Sequence, residues 1–543
     1  MVVCFMPTVA MAEVPTENCQ NGDSCTIHKA AIGTTHYDTL QEAVNDVTAG
    51  DTETTIKVLG DVTESVVIDK GKNIVLDLNG HTLTDNGNYA IKNSGTLYLK
   101  NGNIVQISNK NVLYVTGGVL KVENIAASNQ STGERLIYIG SNSTVEIISG
   151  TFTQYAEKNL LYASGKKDVT IKGGTFIQNS DCAMIQSYNS GTRVVVEGGT
   201  FTNNGNKQML TATSGGKYSI SGGTFDGGEA EILPNSMNCV VTGGKFSRPV
   251  YGANCVAGYE PTKETVDGYY GVKELTAETA AVVMTYTNEE EQTMTVYYAD
   301  PAVALADAKG KTDSEVKIKG DVTTASNLYA YYAKMVVCEG ATLNCKTISV
   351  SAGSASGLKL ENNGTIYASS YIDGTTGSGT LLNNGIITCD FIATAKSENW
   401  INNGTITVSS KNGSTLSALT NNGAILGGVD GAIMKVPVSE VIGTGENFKV
   451  GVYKWSADEN KWMSANSIEV IRNDEAVGGF DSIYNAVIYA QDGDIVRLLD
   501  DVTVTSQEIA KDITLDLNTH IVTCKPGASS RYGFTVPEGK TVQ

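Results

Sequence analysis

Few residues in this sequence combine the type and spacing that chemistry would need. Leu76-Asp77-Leu78-Asn79 returns as Leu515-Asp516-Leu517-Asn518, and each copy is followed by a histidine, His81 or His520. A carboxylate near an imidazole is raw material for general acid–base catalysis. No nucleophile stands at a motif spacing from either histidine. Ile74, Leu76 and Leu78 alternate, which turns them inward and Asp77 outward just before an Asn-Gly corner. Asp77 therefore reads as a solvated strand residue that helps a turn. The only Asp-Asp pair is Asp500-Asp501. An inverting glycoside hydrolase needs two carboxyls about 6.5–9.5 Å apart. Between residues 145 and 246 the acids are scattered (Glu146, Glu157, Asp168, Asp181, Glu197, Asp226, Glu229, Glu231), with Arg193 and Arg248 nearby. No catalytic residue is assigned.

Cys19, Cys25, His28 and His36 form the one group resembling a metal set. Their spacing matches no common zinc pattern, and in an exported chain two close cysteines favour a disulfide. Cys19–Cys25 is the candidate bridge; unpaired thiols and zinc are the alternatives, and no metal or cofactor is expected. The chain has 10 cysteines. Cys4 falls in the leader, and Cys239 with Cys255, or Cys338 with Cys345, are close enough in sequence to pair. Glu289-Glu290-Glu291 reads as solvated linker. Tyr329, Tyr331, Tyr332, Tyr367 and Tyr371, with Trp455 and Trp462, offer either sugar-stacking platforms or apolar cover for the ends of a stack; the ligand-binding residues are unknown at this level.

What would position these residues is a set of repeats. Gly173-Gly174-Thr175-Phe176 recurs at Phe201 and Phe225 and, with a lysine for the threonine, at Phe246; Ser149-Gly150-Thr151-Phe152 is a looser first copy. The phenylalanines are 24, 25, 24 and 21 residues apart. Alternating apolar runs such as Val169-Thr170-Ile171 precede each glycine pair, and alternation marks half-buried strands. A second family, Asn362-Asn363-Gly364-Thr365-Ile366, is echoed at Ile387, Ile406 and Ile425, at spacings of 21, 19 and 19. Coils of this length with Gly and Asn corners predict a parallel β-helix, since leucine-rich and helical repeats need signatures that are absent here. Equivalent residues then stack about 4.8 Å apart, giving an interior Phe stack and an Asn ladder at a corner.

A longer repeat encloses the coils. Leu40, Ala43, Val44 and Val47 form a helical stripe behind a Thr39/Glu42 capping box; Ile483, Ala486, Val487 and Ala490 repeat it after Asp481, and Asp300-Pro301 opens a short middle copy. A capping helix covers the open sheet edge that a bare β-helix end would expose. The expected class is all-β: right-handed parallel β-helix modules, each preceded by a short α-helix. The expected division is leader 1–12, Cys-containing segment 13–29, module one 30–275, linker 276–289, module two 290–430, a small linking β-domain 431–469, and the beginning of a third module 470–543.

Val2 to Val9 is mostly apolar, and Ala10-Met11-Ala12 has the form of a signal-peptidase site, so a clipped export signal and an extracellular location are expected. No other stretch reaches the length of a membrane span. The net charge of −19 argues against nucleic-acid and anionic-lipid partners, whose binding depends on Lys and Arg.

The run Ala31 to Leu40 leading to Asp61-Val62-Thr63 and Asn73 to Leu83, the Gly-Gly-Thr-Phe coils, and the closing Cys255-Val256-Ala257-Gly258-Tyr259 and Gly268-Tyr269-Tyr270-Gly271-Val272 segments resemble adhesin-like surface proteins of gut Firmicutes with pectate-lyase-like right-handed β-helices. The resemblance covers 30–275 well, 470–543 fairly and 290–430 in outline. It implies a surface protein that serves as stalk and binding surface for a glycan or host protein. Fold does not dictate function, so a polysaccharide lyase or glycoside hydrolase is the alternative. Against it, the Asn-Thr-Asp, Asp-Asp, Gly-His-Gly and Arg-Ile-Lys set of the pectin hydrolases does not assemble in this sequence.

Overall fold

The computed structural model describes residue 25 and residues 27–543, except 131, 141, 237, 351–355, 376–377, 395–399, 438 and 526–532. The expected leader, most of the Cys-containing segment, Cys4 and Cys19 lie outside the described residues. The described chain is 48% strand and 5% helix, and its strands form a β-solenoid of about 20 parallel turns, the expected parallel β-helix. It divides into two compact units: one holds the chain to Pro234 with 238–250 and 262–271, the other 235–237, 251–261 and 272–543.

In the first unit each full coil contributes three short strands. Thr144–Ile147, Gly150–Gln154 and Leu161–Ala163 pair in parallel register with Asp168–Ile171, Thr175–Gln178 and Ile185–Tyr188 of the next coil. Every second residue points inward: Val145, Ile147, Phe152, Leu161 and Ala163 are buried. Because identical positions fall in register, the phenylalanines stack face to face. Phe152, Phe176, Phe201, Phe225 and Phe246 lie 4.6–5.0 Å apart between centroids, with planes within 14°. The two glycines before each Phe serve different ends. A Cβ on Gly222 would strike the Glu197 carbonyl of the preceding coil at 2.1 Å, whereas Gly223 has φ +95°, which side-chain-bearing residues rarely adopt.

The second unit builds its corner from asparagine. Asn362, Asn383, Asn402 and Asn421 are fully buried; Nδ2 of each of the first three donates to the next Oδ1 at 2.7–2.8 Å, and Asn421 Nδ2 donates to the Glu446 carbonyl. The neighbouring asparagines form an outer ladder of the opposite sense, in which Asn384, Asn403 and Asn422 each donate back to the preceding coil at 2.8–2.9 Å.

The three expected helices are present: α1, Leu40–Asp46; α2, Pro301–Asp307; and α3, Ile483–Tyr489. Thr39 and Glu42 form the expected capping box of α1, and Asp300 caps α2 with Pro301 in its first turn. Ser482, one residue beyond Asp481, caps α3. Charged residues of the following coil satisfy further end groups of α1 and α3. The Glu64 carboxylate accepts from Leu40 and Gln41 N–H at 3.0 and 3.1 Å, while Lys72 Nζ donates to the Val44, Asn45 and Val47 carbonyls at 2.7–2.9 Å. Lys511 repeats this role on the Ile488 and Ala490 carbonyls of α3.

Before each helix lies a β-hairpin that the residue pattern did not reveal. Ala30–Ile32 with Thr35–Tyr37, Val282–Thr287 with Thr293–Tyr298, and Ile468–Arg472 with Glu475–Phe480 are antiparallel pairs. Each hairpin's first strand then pairs antiparallel with the strand after the helix, where parallel stacking begins. The segment 276–289, expected to be linker, is thus strand from Val282 to Thr287, with Val282, Val283 and Met284 buried. Glu289 to Glu291 lie in that hairpin's turn. The span 431–469 continues the second stack: Ile433–Val436 joins it in parallel through Ser414–Thr415, and the hairpin Gly451–Ser456 with Lys461–Ser464 adds on antiparallel.

Candidate binding faces

Asp77 closes the strand Asn73–Asp77. Its Oδ1 accepts from the Asn79 N–H at 2.9 Å and from Asn101 Nδ2 at 3.2 Å, and its Oδ2 lies 3.8 Å from Lys100 Nζ. Asn79 adopts φ +52° and donates to the Val58 carbonyl. Asp516 and Asn518 reproduce the arrangement, with Arg497 as the cation. Asp77 is therefore the pivot of a corner. His81 faces Asp61 at 3.7 Å and His520 faces Asp501 at 3.5 Å, and each aspartate also accepts a main-chain N–H, from Thr82 and Ile521. Asp500 accepts from the Asp501 N–H.

Three acids of the Phe coils pair with cations one coil away. Asp168 and Arg193 are opposite partners in the parallel register, with Nη2 2.5 Å from Oδ2; Glu146 pairs with Lys172, and Glu229 with Arg248 at 2.6 Å. The hydrogen bond that Lys172 donates to Glu146 raises the Lys172 pKa, and those that Arg193 donates to Asp168 raise the Arg193 pKa. Among the deeply buried acids, Asp300 is pushed up by burial, which outweighs bonds from Thr324 Oγ1 and the Ala302 N–H. It serves as the cap of α2. For Asp494 burial pulls the same way, but Arg472 grips both oxygens at 3.0 and 2.7 Å and the balance falls below the ordinary value.

The aromatic residues divide clearly. Trp455 and Trp462 meet edge to face at 5.3 Å inside the second unit, and Trp462 Nε1 donates to the Ile425 carbonyl. They are apolar cover. Tyr329, Tyr332, Tyr367 and Tyr371 are exposed. A second outward series, in the first unit, went unread in the sequence: Tyr89, Tyr114, Tyr138, Tyr162 and Tyr188 follow one another at 4.4–5.9 Å, with Arg135 over the Tyr162 ring. Its signal was there in Leu113-Tyr114-Val115, Ile137-Tyr138-Ile139 and Leu161-Tyr162-Ala163, where a tyrosine stands between two inward residues. These rings stack on each other, so the series offers edges and hydroxyls outward rather than free faces.

Tyr367 has a different setting. It is 47% exposed on one wall of an open groove of about 710 Å³ in the second unit. Asn344, Tyr367 and Thr388 are in register on three successive coils, and Lys346, Asp390 and Ser409 complete the rim. The groove exists because the strands bend: register shifts occur between Cys345 and Thr347 and between Ala368 and Tyr371, and such irregularities kink a strand. Its floor is formed by Cys345, Ala368 and Cys389. Burial pushes both thiols up to about 12, which keeps them protonated and weakly nucleophilic at neutral pH.

Cys182, Cys239, Cys255, Cys338, Cys345, Cys389 and Cys524 carry thiols, so neither of the bridges considered among Cys239, Cys255, Cys338 and Cys345 is formed. Cys25 is in a disulfide; its expected partner Cys19 lies outside the described residues. Beside Cys25, His28 and His36 approach to 5.4 Å between ring centroids, and His28 Nε2 lies 3.7 Å from Asp38 Oδ1. These residues share an open pocket of about 560 Å³ with Tyr37, Glu42 and Asp46.

The fold and these faces define a parallel β-solenoid with bonded corners and one bent, aromatic-walled groove. Comparison with protein-family models, curated proteins and solved structures finds no match to this chain. Among the described residues, no helix is long and apolar enough to cross a membrane.

Proposed function

We propose that this is a secreted or cell-surface, non-catalytic β-helical protein that binds a glycan along its coils, in the manner of an adhesin. The observation that carries the reading is the Tyr367 groove. It combines a half-exposed aromatic ring with amide, hydroxyl and charged groups contributed by successive coils. An aromatic wall with a few polar groups is how shallow sites hold sugars: the ring covers apolar C–H faces, and the polar rim orients hydroxyls. The ion-paired acids of the Phe coils and the protonated thiols of the groove floor support a binding role over a chemical one. The disulfide at Cys25 and the apolar Val2–Val9 stretch support export.

The test is a glycan array with the purified chain, followed by titration of any hit against Tyr367→Ala and Asp390→Asn. Binding that weakens at least tenfold in Tyr367→Ala, with the glycan recovered intact, supports the reading. Cleavage of polygalacturonate or a host glycan that is lost in Asp390→Asn replaces it with an enzyme. Capture of a host protein without glycan binding replaces it with a protein receptor.

A further inference from the structure

We propose that His28, His36 and Asp38 form a binding site for a divalent transition-metal ion of the zinc class. The site is built on a hairpin. Ala30–Ile32 and Thr35–Tyr37 pair antiparallel, with Ala31 opposite His36, and the Lys29 N–H donates to the Tyr37 carbonyl. That pairing brings His28, just before the first strand, alongside Asp38, just after the second. His28, His36 and Asp38 line one open pocket. The Tyr37 hydroxyl bonds Asp46 Oδ2 at 2.6 Å and ties the hairpin to α1.

The distances approach those of a metal centre. Zinc–nitrogen and zinc–oxygen bonds of about 2.0–2.2 Å at a tetrahedral ion place neighbouring ligand atoms about 3.4 Å apart. His28 Nε2 and Asp38 Oδ1 are already at 3.7 Å. A ring nitrogen of His36 lies within 4.8 Å of one on His28, and His36 lines the same pocket as His28 and Asp38. Two imidazoles and one carboxylate suit the borderline first-row ions, zinc, nickel, cobalt and copper, better than calcium or magnesium, which prefer all-oxygen sets. The Cys25 sulfur is 3.1 Å from His28 Nδ1, on the side of the ring away from Asp38. In its disulfide it supplies no thiolate; its place is to orient the ring. Glu42 and Asp46 line the same pocket and add negative charge near the ion.

This site shares no residue with the Tyr367 groove, so it holds or fails independently of glycan binding. A bound ion would tie the two ends of the hairpin together, and a ligand that binds only the folded state raises its melting temperature.

The chain has four histidines, which makes the test clean. Zinc is titrated calorimetrically into the full chain and into His36→Ala, Asp38→Asn and His81→Ala, with cobalt absorption as a second readout of geometry. Circular dichroism of each metal-free variant checks its fold, and Asp38, being exposed, tolerates the isosteric change. The expected result is one ion per chain, affinity lowered at least tenfold in His36→Ala and Asp38→Asn, and no change in His81→Ala. Equal affinity in wild type and His36→Ala, loss in His81→Ala, or no saturable binding up to millimolar zinc would overturn the proposal.

Discussion

Asn383 donates its side-chain amide to Oδ1 of Asn402 at 2.7 Å while both residues are wholly buried. Each amide in this ladder is both donor and acceptor, so a coil that slipped register would strand polar groups in the core. The ladder therefore specifies alignment as well as stability.

Removing one member should be costly in proportion. Asn383→Ala leaves Asn402 Oδ1 without its donor and takes the acceptor from Asn362 Nδ2. At about 1–3 kcal/mol for each buried group left unmade, the loss should be about 2–6 kcal/mol. Asn384→Ala, in the outer and more exposed ladder, should lose under about 1 kcal/mol. Urea unfolding followed by circular dichroism checks both, and equal losses would refute a special role for the inner ladder.

The Phe stack should show the same contrast. Phe201→Ala opens a cavity between Phe176 and Phe225 and should cost about 3–5 kcal/mol. Tyr367→Ala, on the surface, should stay within about 0.5 kcal/mol. Thermal melts of the two variants decide it.

Glycine substitutions separate steric from conformational demands. Gly222→Ala meets the Glu197 carbonyl at 2.1 Å and forces two coils apart, whereas Gly80→Ala, at φ +82° with nothing within 4 Å, suffers backbone strain alone. The first should lower the unfolding midpoint well beyond the second, which costs about 1–3 kcal/mol. A larger effect at Gly80 would mean that the coils can separate.

Two acids predict opposite pH behaviour. Although burial opposes it, Arg472 holds the folded Asp494 pKa below the ordinary value, so this group's contribution is present above about pH 4 and is lost as the pH falls through the folded pKa. Asp494→Asn should flatten stability on the acid side. Burial raises Asp300, so its contribution is full below about pH 4 and declines as the pH rises through the folded pKa. Asp300→Asn keeps a helix cap and should be as stable as wild type or more so at pH 7. Melting temperatures from pH 3 to 8 test both signs.

The stacks and helices were legible because like residues recur in them: the Gly-Gly-Thr-Phe coils, the Asn-Asn-Gly corners, and Thr39 with Glu42. The Tyr series escaped because its register breaks. Tyr162 pairs in the sheet with Gln186, and Tyr188, two residues later, supplies the next ring. The groove escaped because it comes from bulges near Cys345 and Ala368, which no residue spacing marks. Val282–Thr287 was read as linker because the acidic run after it suggested solvent, yet that run is the turn of a hairpin. The approach of His28 to Asp38 depends on the same kind of hairpin, at Gly33, which brings together residues ten apart.

Titrating the purified chain and its Tyr367→Ala variant with the glycans retained on an array tests the central claim most directly. The account predicts saturable binding weakened at least tenfold in the variant, with the glycan recovered uncut. Unchanged binding in Tyr367→Ala, or cleavage of the glycan, would contradict it.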